Sequence, residues 1–224
     1  MTLETYLLTF KITTVLAALV TVLSFIYFDK RQAEVKLLGL TFLLSFLNDQ
    51  MADILALRGK EVNVASSIYG IVSFIPLSLL YDRALNGRYR KGFIIVALLY
   101  LLFAVLNLCF VQKDDINTYN YTFSAIVFLF YSILYFYRLM VDLPVQHLHR
   151  VPMFWFNAGM LIFNAGTLFL YLFTTYLVEV LHNDLLIYWT FHNIMNIIQL
   201  LVVMIGLWQD LRNIKSPSSS LSEP

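Results

Sequence analysis

The sequence predicts an all-α, polytopic membrane protein: a bundle of seven transmembrane helices with the N-terminus outside and the C-terminus inside. Three observations carry this. Of 224 residues, 60% are hydrophobic and only 13% charged, against about 25% charged in soluble domains, and mean hydropathy is +0.75. So much apolar surface suits a bilayer and not water. The chain holds seven stretches of about 20 mostly apolar residues, the length that crosses a hydrocarbon core. Lysine and arginine are dense in alternate connections and sparse in the others. The apolar runs are continuous and lack the residue-by-residue alternation of membrane barrel strands.

The first run, 5–27, has no basic segment ahead of it and no small-residue cleavage site behind it, because Phe25, Ile26, Tyr27 and Phe28 lead straight into Asp29. It reads as a retained span and not as a signal peptide. The others cover 36–57, 62–82, 92–111, 119–140, 153–179 and 184–208. Pro152 precedes the sixth, where the first turn of a helix has no use for the missing N–H. Lys30, Arg31 and Lys36 lie between the first two runs, and Arg83, Arg88, Arg90 and Lys91 between the third and fourth. Arg138 and Arg150 flank the fifth connection, and Arg212 and Lys215 follow the seventh run. The opposite connections hold only Arg58, Lys60 and Lys113. Basic residues are retained on the cytoplasmic side, which sets the orientation. Residues 1–210 then form one membrane domain, and 211–224, with Ser216, Pro217, Ser218, Ser219 and Ser220, a short disordered cytoplasmic tail.

Ionisable and amide side chains inside these runs are candidate functional groups, since each costs several kcal/mol at membrane depth unless paired or wet. In the second run Ser45, Asp49 and Asp53 are spaced by four and share a helical face. Asp49 lies about 12 Å from the outer end at 1.5 Å per residue. In the last run Tyr188, His192, Asn196 and Gln199 form one stripe, with His192 at a similar depth of about 12 Å. Lys11 in the first run and Ser66, Tyr69 and Ser73 in the third lie near the same end. The expectation is an outward-facing pocket built from Asp49, Asp53, His192, Asn196, Lys11 and Tyr69, in which Asp49 and His192 meet and titrate as a pair. The plainer alternative is that Lys11 neutralises Asp49 or Asp53, or snorkels to the interface.

Elsewhere the polar residues read as packing. Phe156-Asn157-Ala158-Gly159 recurs seven residues on as Phe163-Asn164-Ala165-Gly166, which aligns a glycine seam beside an asparagine seam for helix association, within the chain or in a homodimer through the sixth helix. Tyr131, Tyr135 and Arg138 read as an interfacial belt. Asn120-Tyr121-Thr122 is a glycosylation sequon.

Much chemistry is excluded. Net charge is +1, so no basic field recruits nucleic acid. The single cysteine, Cys109, permits neither an intrachain disulfide nor a cysteine zinc site. The last run has no lysine before Lys215 to bind retinal. His192 lies deep and His182 in an outer loop, while His147 and His149 lie on the other side, so three histidines do not converge on a zinc ion. There is no Walker loop, nucleophile elbow, HExxH or proline-glutamine pair of the small sugar carriers. No catalytic residue, metal or cofactor is predicted.

Pro152-Met153-Phe154-Trp155 with the glycine-bearing run to Tyr171 resembles the sixth helix of the seven-transmembrane sensor regions that begin some bacterial histidine kinases. Ile187 to Trp208, with His192-Asn193, Asn196 and Gly206, resembles their last helix, and Pro76 to Tyr81 with the basic loop behind it their third. The resemblance covers mainly these three helices. It departs from the family in that no coiled coil, phosphoacceptor helix or ATP-binding domain follows. It implies a stand-alone sensor-like module in a bacterial inner membrane whose output passes to a signalling partner. The expected function is thus a receptor-like membrane protein that binds a small molecule or lipid. The alternatives are a proton-coupled solute transporter and a lipid-modifying enzyme using Asp49 and His192 as acid and base.

Overall fold

A computed structural model describes residues 2–59, 62–112, 117–142, 148–179 and 185–215. Lys60, Lys113, His147, His182 and the segment 216–224, all used above, lie outside the described residues. The long helices are α1 Leu3–Phe25, α2 Ala33–Leu57, α3 Asn63–Ala84, α4 Arg90–Leu106, α5 Thr118–Asp142, α6 Pro152–Glu179 and α7 Leu185–Lys215. A π-helical turn, Asn107–Val111, ends α4, and among the described residues there is no strand.

Six of these helices are long and apolar enough to cross a membrane, and the chain is accordingly a multi-pass membrane helical bundle. The exception is α2. Its 25 residues span about 37 Å, but Glu34, Lys36, Asp49 and Asp53 break its apolar run. It is still an integral part of the bundle, packed on α1 on one side and α3 on the other. The contacts close a ring in the order α1, α2, α3, α5, α6, α7 and back to α1, with α4 laid against α3 and α5. Below, the end holding the N-terminus is the N-terminal end, and the end holding the α1–α2, α3–α4 and α5–α6 connections is the basic end.

The interior is a stack of large side chains. Phe74, Tyr81, Tyr100 and Phe156 are at most 1% exposed, and Val20, Leu38, Leu200, Val203 and Leu207 wholly buried. Phe74 stacks on Tyr100 with ring centroids 3.8 Å apart. Leu98, Phe130, Phe169 and Trp208 are each more than 60% exposed; on a membrane bundle such residues meet lipid, and on a soluble one they would drive aggregation.

The repeat in α6 serves contacts inside the chain. A Cβ on Gly159 would stand 3.1 Å from the Gln199 carbonyl, and one on Gly166 would strike Met195, so both glycines admit α7. Asn157 is fully buried; its Oδ1 accepts from the Tyr81 hydroxyl of α3 at 2.8 Å, and its Nδ2 donates to the Ser132 carbonyl of α5 at 3.1 Å. Asn164 turns back to the Met160 carbonyl. The seam offered for a homodimer is therefore filled by α7 and α5, which removes the small-residue face on which that expectation rested.

Three other expectations change. Helix α7 continues to Lys215, because Leu211 and Ile214 extend its half-buried face and Asn213 Nδ2 donates to the Arg150 carbonyl at 3.3 Å; residues 211–215 are helix and not tail. Tyr131 and Tyr135 are 3% and 6% exposed, core residues and not an interfacial belt, while Arg138 donates to the Tyr89 hydroxyl and covers the Tyr89 ring at 5.2 Å. Asn120 is 3% exposed. Its Oδ1 accepts from Asn107 at 3.3 Å and its Nδ2 donates to the Ala104 carbonyl at 3.4 Å, which closes the sequon to glycosylation.

Candidate functional site

On α2, Ser45, Asp49 and Asp53 follow one another at helical spacing. Asp49 is half-buried and Asp53 exposed. Across from them on α3, the Tyr69 hydroxyl lies beside Ser45 and Ser73 and within electrostatic reach of Asp49. From α1, Tyr6 approaches both carboxylates, and the Asn48 side chain interacts with Asp49 on its own helix. Asp49, Asp53 and Tyr69 are thus brought together with Tyr6, which the sequence reading did not single out.

Lys11 is exposed on α1. Among the described residues the ion pairs are Arg31–Asp210 and Arg88–Asp142, so Lys11 neutralises neither Asp49 nor Asp53. Two carboxylates remain at the N-terminal end with tyrosines beside them and, among the described residues, no cationic side chain paired with them.

His192 has different surroundings. Its ring packs among Phe163, Trp189 and Tyr171, at centroid distances of 5.4, 5.7 and 6.1 Å. Its neighbour Asn193 donates to Thr9 Oγ1 of α1 at 3.4 Å, joining α7 to α1, and Asn196 is half-buried one turn on. Asp49 has Asp53, Asn48, Tyr69 and Tyr6 about it, His192 has Asn193, and neither ion pair among the described residues joins Asp49 to His192. The expected meeting of Asp49 with His192 is not made. Tyr69 and Tyr171, themselves in electrostatic reach of one another, stand between the two, together with Tyr121, whose ring lies 5.4 Å from that of Tyr171. Rise per residue fixes how far along a helix a side chain stands, but not the direction in which it faces.

A cavity of about 10 Å³ lies among Thr118, Tyr121, Tyr171, Thr174, Tyr188 and Trp189, room for about one water molecule and no more. A second, of about 600 Å³, opens at the basic end between α3 and α4. Neither is lined by any of the six predicted site residues.

Sequence reasoning missed two polar assemblies. At the basic end Arg31, 4% exposed, pairs with Asp210, 3% exposed, and also donates to the Ile26 and Leu23 carbonyls at 3.0 and 2.7 Å. Where α4 ends and α5 begins, Asn107, Gln112, Asn117, Thr118 and Asn120 form a buried polar cluster, in which Gln112 Nε2 donates to Thr118 Oγ1 at 2.9 Å. The density of amides between 107 and 120 was the one available signal for it.

Comparison of the chain with protein-family models, with curated proteins and with solved structures finds no match.

Proposed function

We propose that the chain is a receptor-like membrane protein of seven spans, N-terminus outside, that binds a small molecule at its N-terminal end and signals to a partner through its basic end. The observation that carries the reading is Asp49: a half-buried carboxylate without a cationic partner among the described residues, bordered by Tyr69 and Tyr6. An unneutralised acid with tyrosine hydroxyls beside it suits a small organic cation, held first by charge. His192 and Asn196 belong to the neighbouring wall of α7, reached through Tyr171, and Lys11 and Asp53 to the rim.

The seventh span is supported by the place of α2 between α1 and α3 in the ring, and the orientation by the crowding of basic residues at one end. In a Cys109→Ala background, Arg58→Cys is expected to react with a membrane-impermeant maleimide on intact cells and Arg88→Cys only after lysis. The reverse pattern would overturn the orientation, and equal accessibility of the two cysteines on intact cells would overturn the crossing of α3.

Binding is tested on protein reconstituted in vesicles, with ethylamine and tetramethylammonium as probes. Thermal stabilisation by either amine is expected, with affinity falling at least about tenfold, or 1.4 kcal/mol, in Asp49→Asn. Binding unaffected by that change would count against the site, and net uptake of tetramethylammonium, which has no neutral form to cross the bilayer unaided, would make the protein a carrier instead.

A further inference from the structure

The 600 Å³ cleft at the basic end is amphipathic along its length. Its polar half holds Glu34 from the first turn of α2, Asp82 and Arg83 from the last turn of α3, and Arg90 from the first turn of α4. Its apolar half holds Ile75 and Leu79 of α3 and Phe93, Ile94 and Ala97 of α4. Passing from Asp82 to Ile75, or from Arg90 to Ala97, the walls change from charged to aliphatic over about 10 Å at 1.5 Å per residue. Ile75, Leu79 and Ile94 are each about half exposed, so the apolar half opens sideways toward the hydrocarbon.

The charges are balanced and uncommitted. Glu34, Asp82, Arg83 and Arg90 take no part in either ion pair among the described residues. Asp82 Oδ1 is buried and has no hydrogen-bond partner. Deeper in, Ser78 is 5% exposed and its hydroxyl also lacks a partner in bonding geometry. The backbone holds these groups in place: Asn86 and Gly87 both have positive φ, and Gly87 N donates to the Asp82 carbonyl at 2.8 Å, closing α3 and fixing where Asp82 stands.

We infer that this cleft binds one phospholipid whose headgroup carries a primary ammonium beside its phosphate, the phosphoethanolamine type. The two guanidiniums form the bidentate, charge-assisted hydrogen bonds that phosphate oxygens accept, and the two carboxylates receive the ammonium. The carboxylates decide between zwitterionic headgroups, because they accept N–H hydrogen bonds, which a primary ammonium donates and a trimethylammonium cannot. A headgroup at the membrane interface then places its acyl chain along Ile75, Leu79, Ile94 and Ala97. A volume of 600 Å³ falls in the range of about 300–1,000 Å³ typical of ligand sites.

The test uses the full chain in nanodiscs containing equal parts of phosphatidylethanolamine, phosphatidylglycerol and phosphatidylcholine, transferred to mild detergent, with retained lipid counted by native mass spectrometry. One phosphatidylethanolamine per chain is expected, enriched at least about fivefold over each of the others. Asp82→Asn should abolish the enrichment over phosphatidylcholine, and Ala97→Phe, which fills the apolar half, should lower retention of all three. Equal retention of the three lipids by the unaltered protein overturns the proposal whether or not the variants fold. So does a preference for phosphatidylglycerol, which would make the arginines simple anionic-lipid anchors, or an enrichment that survives Asp82→Asn.

Discussion

Replacing Asp210 by alanine is expected to lower the stability of the protein by about 3–5 kcal/mol, the usual cost of breaking a buried ion pair by removing one partner. The geometry explains why the loss is large. The Arg31 and Asp210 side chains are 0% and 4% exposed, so the guanidinium left behind is out of reach of water. It retains the Leu23 and Ile26 carbonyls, which satisfy hydrogens but not charge. The same three bonds tie the end of α1 to α7, the two elements that close the ring, so the damage falls where the first and last helices meet. At roughly 2–4 °C per kcal/mol for a chain of this size, the midpoint of thermal unfolding in detergent should drop by about 6–20 °C.

The double variant Arg31→Met, Asp210→Leu separates charge from packing. With both charges gone no ion is stranded, and such replacements are often neutral where the volume is kept. Here the Leu23 and Ile26 carbonyls lose their donor, so recovery is partial: the double variant should lie above Asp210→Ala but below the unaltered protein, with a coupling of about 1–3 kcal/mol in a double-mutant cycle. A midpoint for Asp210→Ala within 2 °C of the unaltered protein, on a scale of roughly 2–4 °C per kcal/mol, would mean that the pair is hydrated.

The helices were legible in the sequence because length and apolarity are properties of a segment alone. The α1 run was placed at 5–27 and found at Leu3–Phe25, and the α6 run at 153–179 and found at Pro152–Glu179. What the sequence concealed depends on partners far along the chain. Arg31 was grouped with the loop cations because its partner lies 179 residues away, and Asp210 had no local mark of burial. Tyr131 and Tyr135 were assigned to an interface because tyrosine is common both there and in polar cores; which of the two applies is settled by α3, whose Tyr81 ring stands 5.5 Å from that of Tyr131. In the candidate site, depth along α2 and α7 could be counted, but rotation about each axis could not. Asp49 consequently was paired with His192, whereas its neighbours are Tyr69 and Tyr6. The cleft at the basic end was invisible for the same reason, since Glu34, Asp82 and Arg90 come from three helices and form no motif.

Gly206→Ala is expected to be the most damaging single-methyl change in the bundle, and Gly166→Ala, at the same nominal distance, a mild one. A Cβ on Gly206 would stand 2.5 Å from Phe156 Cε1, 2.7 Å from Phe156 Cδ1 and 3.0 Å from the Pro152 carbonyl oxygen. Phe156 is 1% exposed and its ring is rigid, while the carbonyl belongs to the first turn of α6. Neither gives way unless α6 and α7 move apart, and overpacking of a close-packed interior costs about 1–3 kcal/mol. A Cβ on Gly166 also meets a neighbour at 2.5 Å, but that atom is the Met195 sulfur, with Met195 Cγ behind it at 2.9 Å; both belong to an unbranched side chain with several rotatable bonds, which turns aside without moving either helix. Thermal midpoints in the same detergent should therefore fall by about 2–12 °C for Gly206→Ala, at roughly 2–4 °C per kcal/mol, and hardly change for Gly166→Ala. The ordering is the informative part, since both substitutions remove the same glycine flexibility from the unfolded chain. Equal losses, or a larger one at Gly166, would mean that the α6–α7 seam is not set by the fit of Phe156 against Gly206.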